Sequence, residues 1–210
     1  MFKSVHFEGL PGSGKTSASQ SLSRALDKAQ ISAKWYLEED KNHPITSERL
    51  RRHNQAADFD NQCLEAWIRF QSNHSGIQIL DGYALQSTVR LMFANQVRHT
   101  QIVDYFERWA EASKGHMEFV FFYVDAPQAH FQEIIADRGE KWARLLERYV
   151  QRTPYGQTQN LTGRVGLVEF WARYQEMCIH LLSDRGFKHT RAIAHDWGEK
   201  EEKELVKRLA

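Results

Sequence analysis

The residues best suited to chemistry in this 210-residue chain are Gly9-Leu10-Pro11-Gly12-Ser13-Gly14-Lys15-Thr16. They read G-x-x-x-x-G-K-T, the Walker A pattern of a phosphate-binding loop. Gly12 and Gly14 carry no Cβ, so the backbone can turn its N–H groups inward as a nest for an anion. A helix starting behind the loop adds roughly half a positive charge at its N-terminus. Lys15 supplies a full charge for the β- and γ-phosphates, and the Thr16 hydroxyl suits Mg2+. Pro11, Gly12, Ser13, Gly14, Lys15, Thr16 and Ser17 are therefore the expected nucleotide-binding set. An ordinary glycine-rich turn is the competing reading. The flanking strand and helix patterns argue against it.

Further candidates lie downstream. Asp81 closes the apolar run Ile77-Gln78-Ile79-Leu80. A carboxylate at that place suits a magnesium–water contact, or a base for an incoming hydroxyl, so Asp81 joins Thr16 as an expected metal residue. A simple helix cap would use the same residue type. Glu38, Glu39 and Asp40 follow the second apolar run, with His43 just beyond. Ligands of open parallel sheets sit past the carboxyl ends of strands, which places this acidic corner near the site. Solvated acids and a turn histidine are the plain alternatives. Glu38, His43 and Gln86 are the acceptor-side candidates.

These residues need elements to hold them. Val5 and Phe7 alternate in a strand before the loop, and Ala18, Leu22, Ala25, Leu26 and Ala29 give the helix after it one apolar face. That helix should end near Gln30, before a strand over Ala33–Leu37. Two helices are expected between Thr46 and Asn73, the first capped by Ser47 and the second carrying Phe59, Cys63, Ala66, Trp67 and Phe70 inward. Gly76 breaks the second helix and the strand ending at Asp81 follows. Helices are expected over Gln86–Asn95 and Gln101–Ala112, with Gly115 as the stop. Met117–Val124, nearly continuous and aromatic, suits the centre of a covered sheet. Asp125 and Pro127 open a helix that closes at Asp137-Arg138-Gly139.

The next segment carries Lys141, Arg144, Arg148 and Arg152 within about 80° of one helical line. Beside them runs an apolar face of Trp142, Leu145, Leu146 and Tyr149. This suits a lid closing over phosphates, or a surface helix with snorkelling side chains. Thr153–Gly163 holds Pro154, Gly156 and Gly163 and is expected to be a mobile loop or hinge. A long helix built on Leu167, Trp171, Tyr174, Cys178 and Leu181 follows, ended by Gly186. A last strand over Lys188–Ala194 leads through His195 and Trp197 to a charged helix. Trp197 fits packing better than stacking on a base.

Composition narrows the function. The 28 basic and 27 acidic residues create no global field that would select nucleic acid or an anionic membrane. No signal peptide or membrane-length apolar run is present, and Cys63 and Cys178 match no metal spacing, so a cytoplasmic setting is expected. One domain over 1–210 is expected, with a lid at about 138–163; a homodimer is left open.

The motifs FEGLPGSGKT, ILDGY and ADRG resemble those of the small P-loop kinases, nearest the thymidylate kinases and deoxynucleoside kinases. The order of elements is similar along most of the chain, although the motifs themselves cover a small part. The resemblance implies a three-layer α/β P-loop NTPase fold, with a mostly parallel five-stranded sheet and a helical lid. It implies transfer of the γ-phosphoryl group of ATP, with Mg2+, to a hydroxyl of a small acceptor. Carried over, Gly12 to Thr16 hold phosphates and metal, and Arg138 begins the lid. Asp81 stands at the acid after the third strand, and Glu8 helps orient metal or acceptor. Arg138, Arg144 and Arg148 join Lys15, Asp81 and Glu8 as catalytic candidates. Two departures stand out: Gly82 follows the acid where arginine is usual, and Glu38-Glu39-Asp40 replace a basic residue. Carboxylates there favour a neutral or amine-bearing acceptor, possible examples being a nucleoside or an amine-bearing metabolite, unless Arg49, Arg51 or Arg52 turns inward. A P-loop ATPase or a nucleotide-gated regulatory module is the alternative.

Overall fold

The computed structural model describes residues 2–40, 43, 45–46, 48–113, 116–184, 189–194 and 196–210. Ser47, Gly115 and Gly186, expected as one cap and two stops, lie outside them, as do Lys188 and His195. Five strands form one parallel sheet: β1 (Phe2–Gly9), β2 (Ala33–Tyr36), β3 (Gly76–Asp81), β4 (His116–Tyr123) and β5 (His189–Ile193). Their spatial order is β2-β3-β1-β4-β5. β1 therefore sits at the centre, paired on one side with β3 and on the other with β4.

Both faces of the sheet are covered, as its near-continuous apolar strands require. On one face Val5, Phe7, Ile79, Val120 and Phe122 pack with Leu22 and Leu26 of α1 (Lys15–Lys28) and Leu205 of α10 (Glu199–Leu209). Full burial of Leu22 and Leu26 contributes about 1.5–3 kcal/mol each. Trp197 joins this layer, edge-on to Phe7 at 5.6 Å, so it packs as expected. The other face holds α3 (Phe59–Asn73), α5 (His99–Ala112) and α9 (Gly163–Asp184). There Trp67, Tyr83, Trp109 and Phe119 surround the His6 ring, which lies within 6.1 Å of each.

Register decides what meets at the carboxyl end. Phe7 pairs with Asp81, and Tyr36 with Leu80, so the chain after β2 emerges beside the chain after β3. The Gly82 N–H extends the ladder to the Phe7 carbonyl at 2.8 Å. The ends of β1, β2 and β3 thus open into one crevice, where an open parallel sheet binds ligands.

Two stretches differ from the sequence expectation. The helix after Asp81 starts earlier, as a π-helical segment over Ala84–Val89 that runs on into α4 (Arg90–Ala94). Thr153–Gly163 is not a bare loop, because α8 (Pro154–Thr158) lies within it. Its proline occupies the first turn, where a missing N–H costs nothing, and the Thr153 hydroxyl accepts the Gly156 N–H at 3.0 Å. A Cβ on Gly156 would stand 2.0 Å from the Val150 carbonyl, so this glycine permits close packing. α8 follows α7 (Glu140–Arg152), which in turn follows α6 (Pro127–Arg138).

Candidate active site

The loop between β1 and α1 is fixed from inside and from outside. Inside, the Ser13 N–H and the Lys15 ammonium both donate to the Leu10 carbonyl, at 3.2 and 2.9 Å. Outside, His130 of α6 donates through Nε2 to the Pro11 carbonyl at 3.0 Å. Gly12 has φ +76, and a Cβ there would stand 2.2 Å from Cδ1 of Ile134. Only glycine lets α6 close this tightly over the loop. A cavity of about 420 Å³ opens between Gly12, Gly14, Lys15, Thr16 and Ser17 on one wall and Glu133, Asp137 and Arg138 on the other.

Asp81 meets this loop directly. Its Oδ2 accepts the Thr16 hydroxyl at 2.6 Å, while its Oδ1 is buried without a hydrogen-bond partner. Burial pushes the Asp81 carboxyl up, against the pull of Lys15 and of the Thr16 hydroxyl. Burial likewise lowers Lys15, despite the opposing attraction of Asp81, Glu38 and Glu8. An orphaned carboxylate oxygen beside a threonine hydroxyl is a hard-oxygen pair that fits Mg2+, which takes few protein ligands and completes its shell with phosphate and water. No group of three or more His, Cys, Asp or Glu side chains able to hold a metal occurs among the described residues.

Glu8 lies at the end of β1, buried beneath the loop. Its two oxygens accept the Leu85 and Gln86 N–H groups at 3.1 and 2.9 Å, tying β1 to the start of the π-helical segment. Burial pushes its carboxyl up to about 8; the two N–H groups and Lys15 work against that, and Glu38 adds to it.

The acceptor-side candidates gather next to Asp81. Glu39 and Asp40 point to solvent, but Glu38 turns in, with its side chain only 17 % exposed. Its Oε1 faces Arg90 Nη2 at 3.8 Å, and a Cβ on Gly82 would stand 2.7 Å from its Oε2. Burial raises the Glu38 carboxyl, with Arg90, Lys15 and Arg51 opposing and Asp81 reinforcing. Gln86 leans on the same glycine, and its Oε1 is buried without a partner. Arg51 of α2 (Glu48–Arg52) donates to the Glu38 carbonyl. His43 is buried, and its Nδ1 accepts the Ile45 and Thr46 N–H groups at 3.3 and 3.1 Å. Its Nε2 is buried without a hydrogen-bond partner.

The basic stripe of α7 divides from its neighbour. Arg138 lines the loop cavity, with its guanidinium 5.1 Å from the Trp142 ring centroid. Arg144 and Arg148 are exposed and do not line it. A second cavity, of about 490 Å³ between Asn54, Met92 and Pro154, contains none of the candidate residues. Two contributors were not singled out from sequence. Arg90 and His130 carry no motif; the available signal was a lone cation four residues after Gln86, inside an apolar helix.

No family model matches the chain, and no curated protein matches it in sequence. Solved structures do match. Thymidylate kinase from Ehrlichia chaffeensis superposes with a TM-score of 0.54 at 12% identity, over 99% of this chain and 98% of that one. Deoxyadenosine kinase from M. mycoides, solved with bound dATP, gives 0.50 at 16% identity, again over 99% and 98%. Sheet order, phosphate loop and near-full-length superposition agree, and this chain has the fold of the small P-loop kinases.

Proposed function

We propose that the chain is an ATP-dependent phosphotransferase that moves the γ-phosphoryl group to a hydroxyl of a small acceptor. The observation that carries this reading is that Asp81 and Lys15 stand between the phosphate-loop cavity and a second cluster of buried polar side chains. The cavity is walled by the loop and Arg138, and the cluster is Glu38, Gln86, Arg90 and Arg51. An ATPase has no use for a buried carboxylate and two cations beyond its phosphate loop.

The loop N–H groups and Lys15 hold the β- and γ-phosphates. Thr16 and Asp81 hold Mg2+, which supplies charge neutralisation at the transferring group. Glu38 orients the acceptor hydroxyl and accepts its proton, a role suited to a largely buried carboxylate raised by burial. Arg138 faces the phosphates from α6, and Arg144 and Arg148 reach them when α7 swings inward as a lid.

One acid, not three, enters the site, and Arg51 turns inward beside it with Arg90. With those two cations present, the acidic corner no longer argues against a phosphorylated acceptor. Mg-ATP turnover should be measured with a panel of nucleosides, nucleoside monophosphates, sugars and amino alcohols. The expected result is slow turnover alone and strong acceleration by one chemical class. Equal turnover with every compound would refute phosphotransfer and leave an ATPase.

A further inference from the structure

We propose that Tyr149, projecting from α7, is a positioning residue that fixes Glu38 through Arg90, so the seating of α7 sets the carboxylate met by the acceptor. The proposal rests on the phosphotransfer reading for the role of Glu38, but its geometry stands alone.

Arg90 reaches in three directions. Its Nε donates to the Gln86 carbonyl at 2.6 Å, its Nη1 donates to the Tyr149 hydroxyl, and its Nη2 faces Glu38 Oε1 at 3.8 Å. The last contact is within ion-pair range but too long for a hydrogen bond, so it cannot orient the guanidinium. The other two contacts do. Two fixed N–H directions define the guanidinium plane, and the plane then fixes where Nη2 points. The Tyr149 ring lies 5.3 Å from the Arg90 carbon and adds a cation–π contact. Arg90 is only 17 % exposed, so water does not readily replace a lost partner.

Both ends of the chain of contacts are anchored. Tyr149 stands edge-on to Phe170 of α9 at 6.0 Å, and Phe170 packs on Phe93 of α4 at 5.3 Å. Glu38 Oε2 occupies the space that a side chain on Gly82 would fill, and its Oε1 faces the Arg90 charge, so the position of that charge biases the carboxylate. The charged groups that act on Glu38 are Arg90, Lys15, Asp81, Arg51 and Glu8. Of these, Arg90 alone bonds to α7 among the described contacts. A shift of α7 therefore reaches the acceptor side without passing through the phosphate loop.

The test is Tyr149→Phe, which keeps the ring and removes the hydroxyl. In the full-length protein, side-chain NMR of Arg90, assigned by loss of its signal in Arg90→Lys, should show separate Nη resonances that merge in Tyr149→Phe. The Glu38 carboxyl carbon should move in the same variant. With the best acceptor from the panel, kcat should fall about tenfold at unchanged KM for ATP, close to the loss of one hydrogen bond to a charged group. Nη resonances that stay separate, or a Glu38 signal that does not move, would overturn the proposal. If Tyr149→Phe does not fold, Arg90→Lys keeps the charge without the fork, and an unmoved Glu38 signal there is equally fatal. The NMR readouts need no acceptor, so an empty panel would defeat the phosphotransfer reading while these signals still judge the link.

Discussion

His43→Asn should flatten the acid side of the stability profile. In the folded protein His43 is 1 % exposed, and burial, helped by the nearby positive Arg51, pushes its pKa down to about 4. The geometry agrees: Nδ1 accepts two backbone N–H groups, so a proton there would face two donors. A free histidine titrates near 6.5, so the unfolded chain takes up the proton first as pH falls. The stability that His43 contributes is therefore complete above about pH 6.5 and is lost as pH falls toward 4. Two and a half units at 1.36 kcal/mol each limit the loss to about 3.4 kcal/mol, of which about 2 kcal/mol has gone by pH 5. Asparagine keeps an acceptor oxygen in place of Nδ1 and does not titrate.

Urea unfolding at pH 7.5 and 5.0 provides the assay, with unchanged m-values as the condition for comparison. The wild-type total will not isolate the effect. His6, lowered to about 3 by burial, pulls in the same direction, whereas Glu8, raised to about 8, loses stability as pH rises. The difference between variant and wild type does isolate it. His43→Asn should lose about 2 kcal/mol less than wild type between the two pH values. Parallel losses would show that His43 protonates freely in the folded state, and the two N–H contacts would then be misassigned.

Three other outcomes follow from the site. Lys15→Ala should weaken ATP binding or turnover by about 30- to 1000-fold, read by calorimetry and ADP release, with the melting temperature little changed. Glu38→Gln should cut transfer to the acceptor about a hundredfold while ATP affinity stays within a few-fold; equal losses in both would place Glu38 on the nucleotide instead. Gly82→Ala forces a side chain to φ +71 and into the Glu38 carboxylate. It should cost about 1–2 kcal/mol in urea unfolding and impair transfer more than ATP binding, and a variant as active as wild type would remove Glu38 from the reaction.

Much of the fold was legible because its signals are local. The phosphate loop is a contiguous motif, and the strands ending at Asp81 and Tyr123 are largely apolar runs suited to the inside of a parallel sheet. Cys63 packs as its spacing implied, and Trp197 packs as expected of an aromatic in the loop after a strand. What was not legible depends on contacts between distant residues. Three consecutive acids look alike in sequence, and only the turn after β2, closed by the Asp40 N–H on the Leu37 carbonyl, leaves Glu38 inside and its two neighbours exposed. Pro154 and Gly156 look like breakers, yet in α8 one starts a helix and the other admits the Val150 carbonyl. Arg90 gains its meaning from Tyr149, which lies 59 residues away.

The π-helical segment gives this arrangement an angular phase. A π turn holds more residues than an α turn, so Ala84–Val89 acts like a one-residue insertion at the head of α4. Each residue of a regular helix advances about 100° around the axis. Were the segment an ordinary α-helix, Arg90 would be rotated by about that angle, away from both Glu38 and Tyr149, with Phe93 displaced from its aromatic neighbours too. Residue count over this stretch is thus as binding a constraint as residue identity. A chain that kept every side chain named here but lost one position between Ala84 and Val89 would keep its phosphate loop and lose the alignment of Glu38, Arg90 and Tyr149.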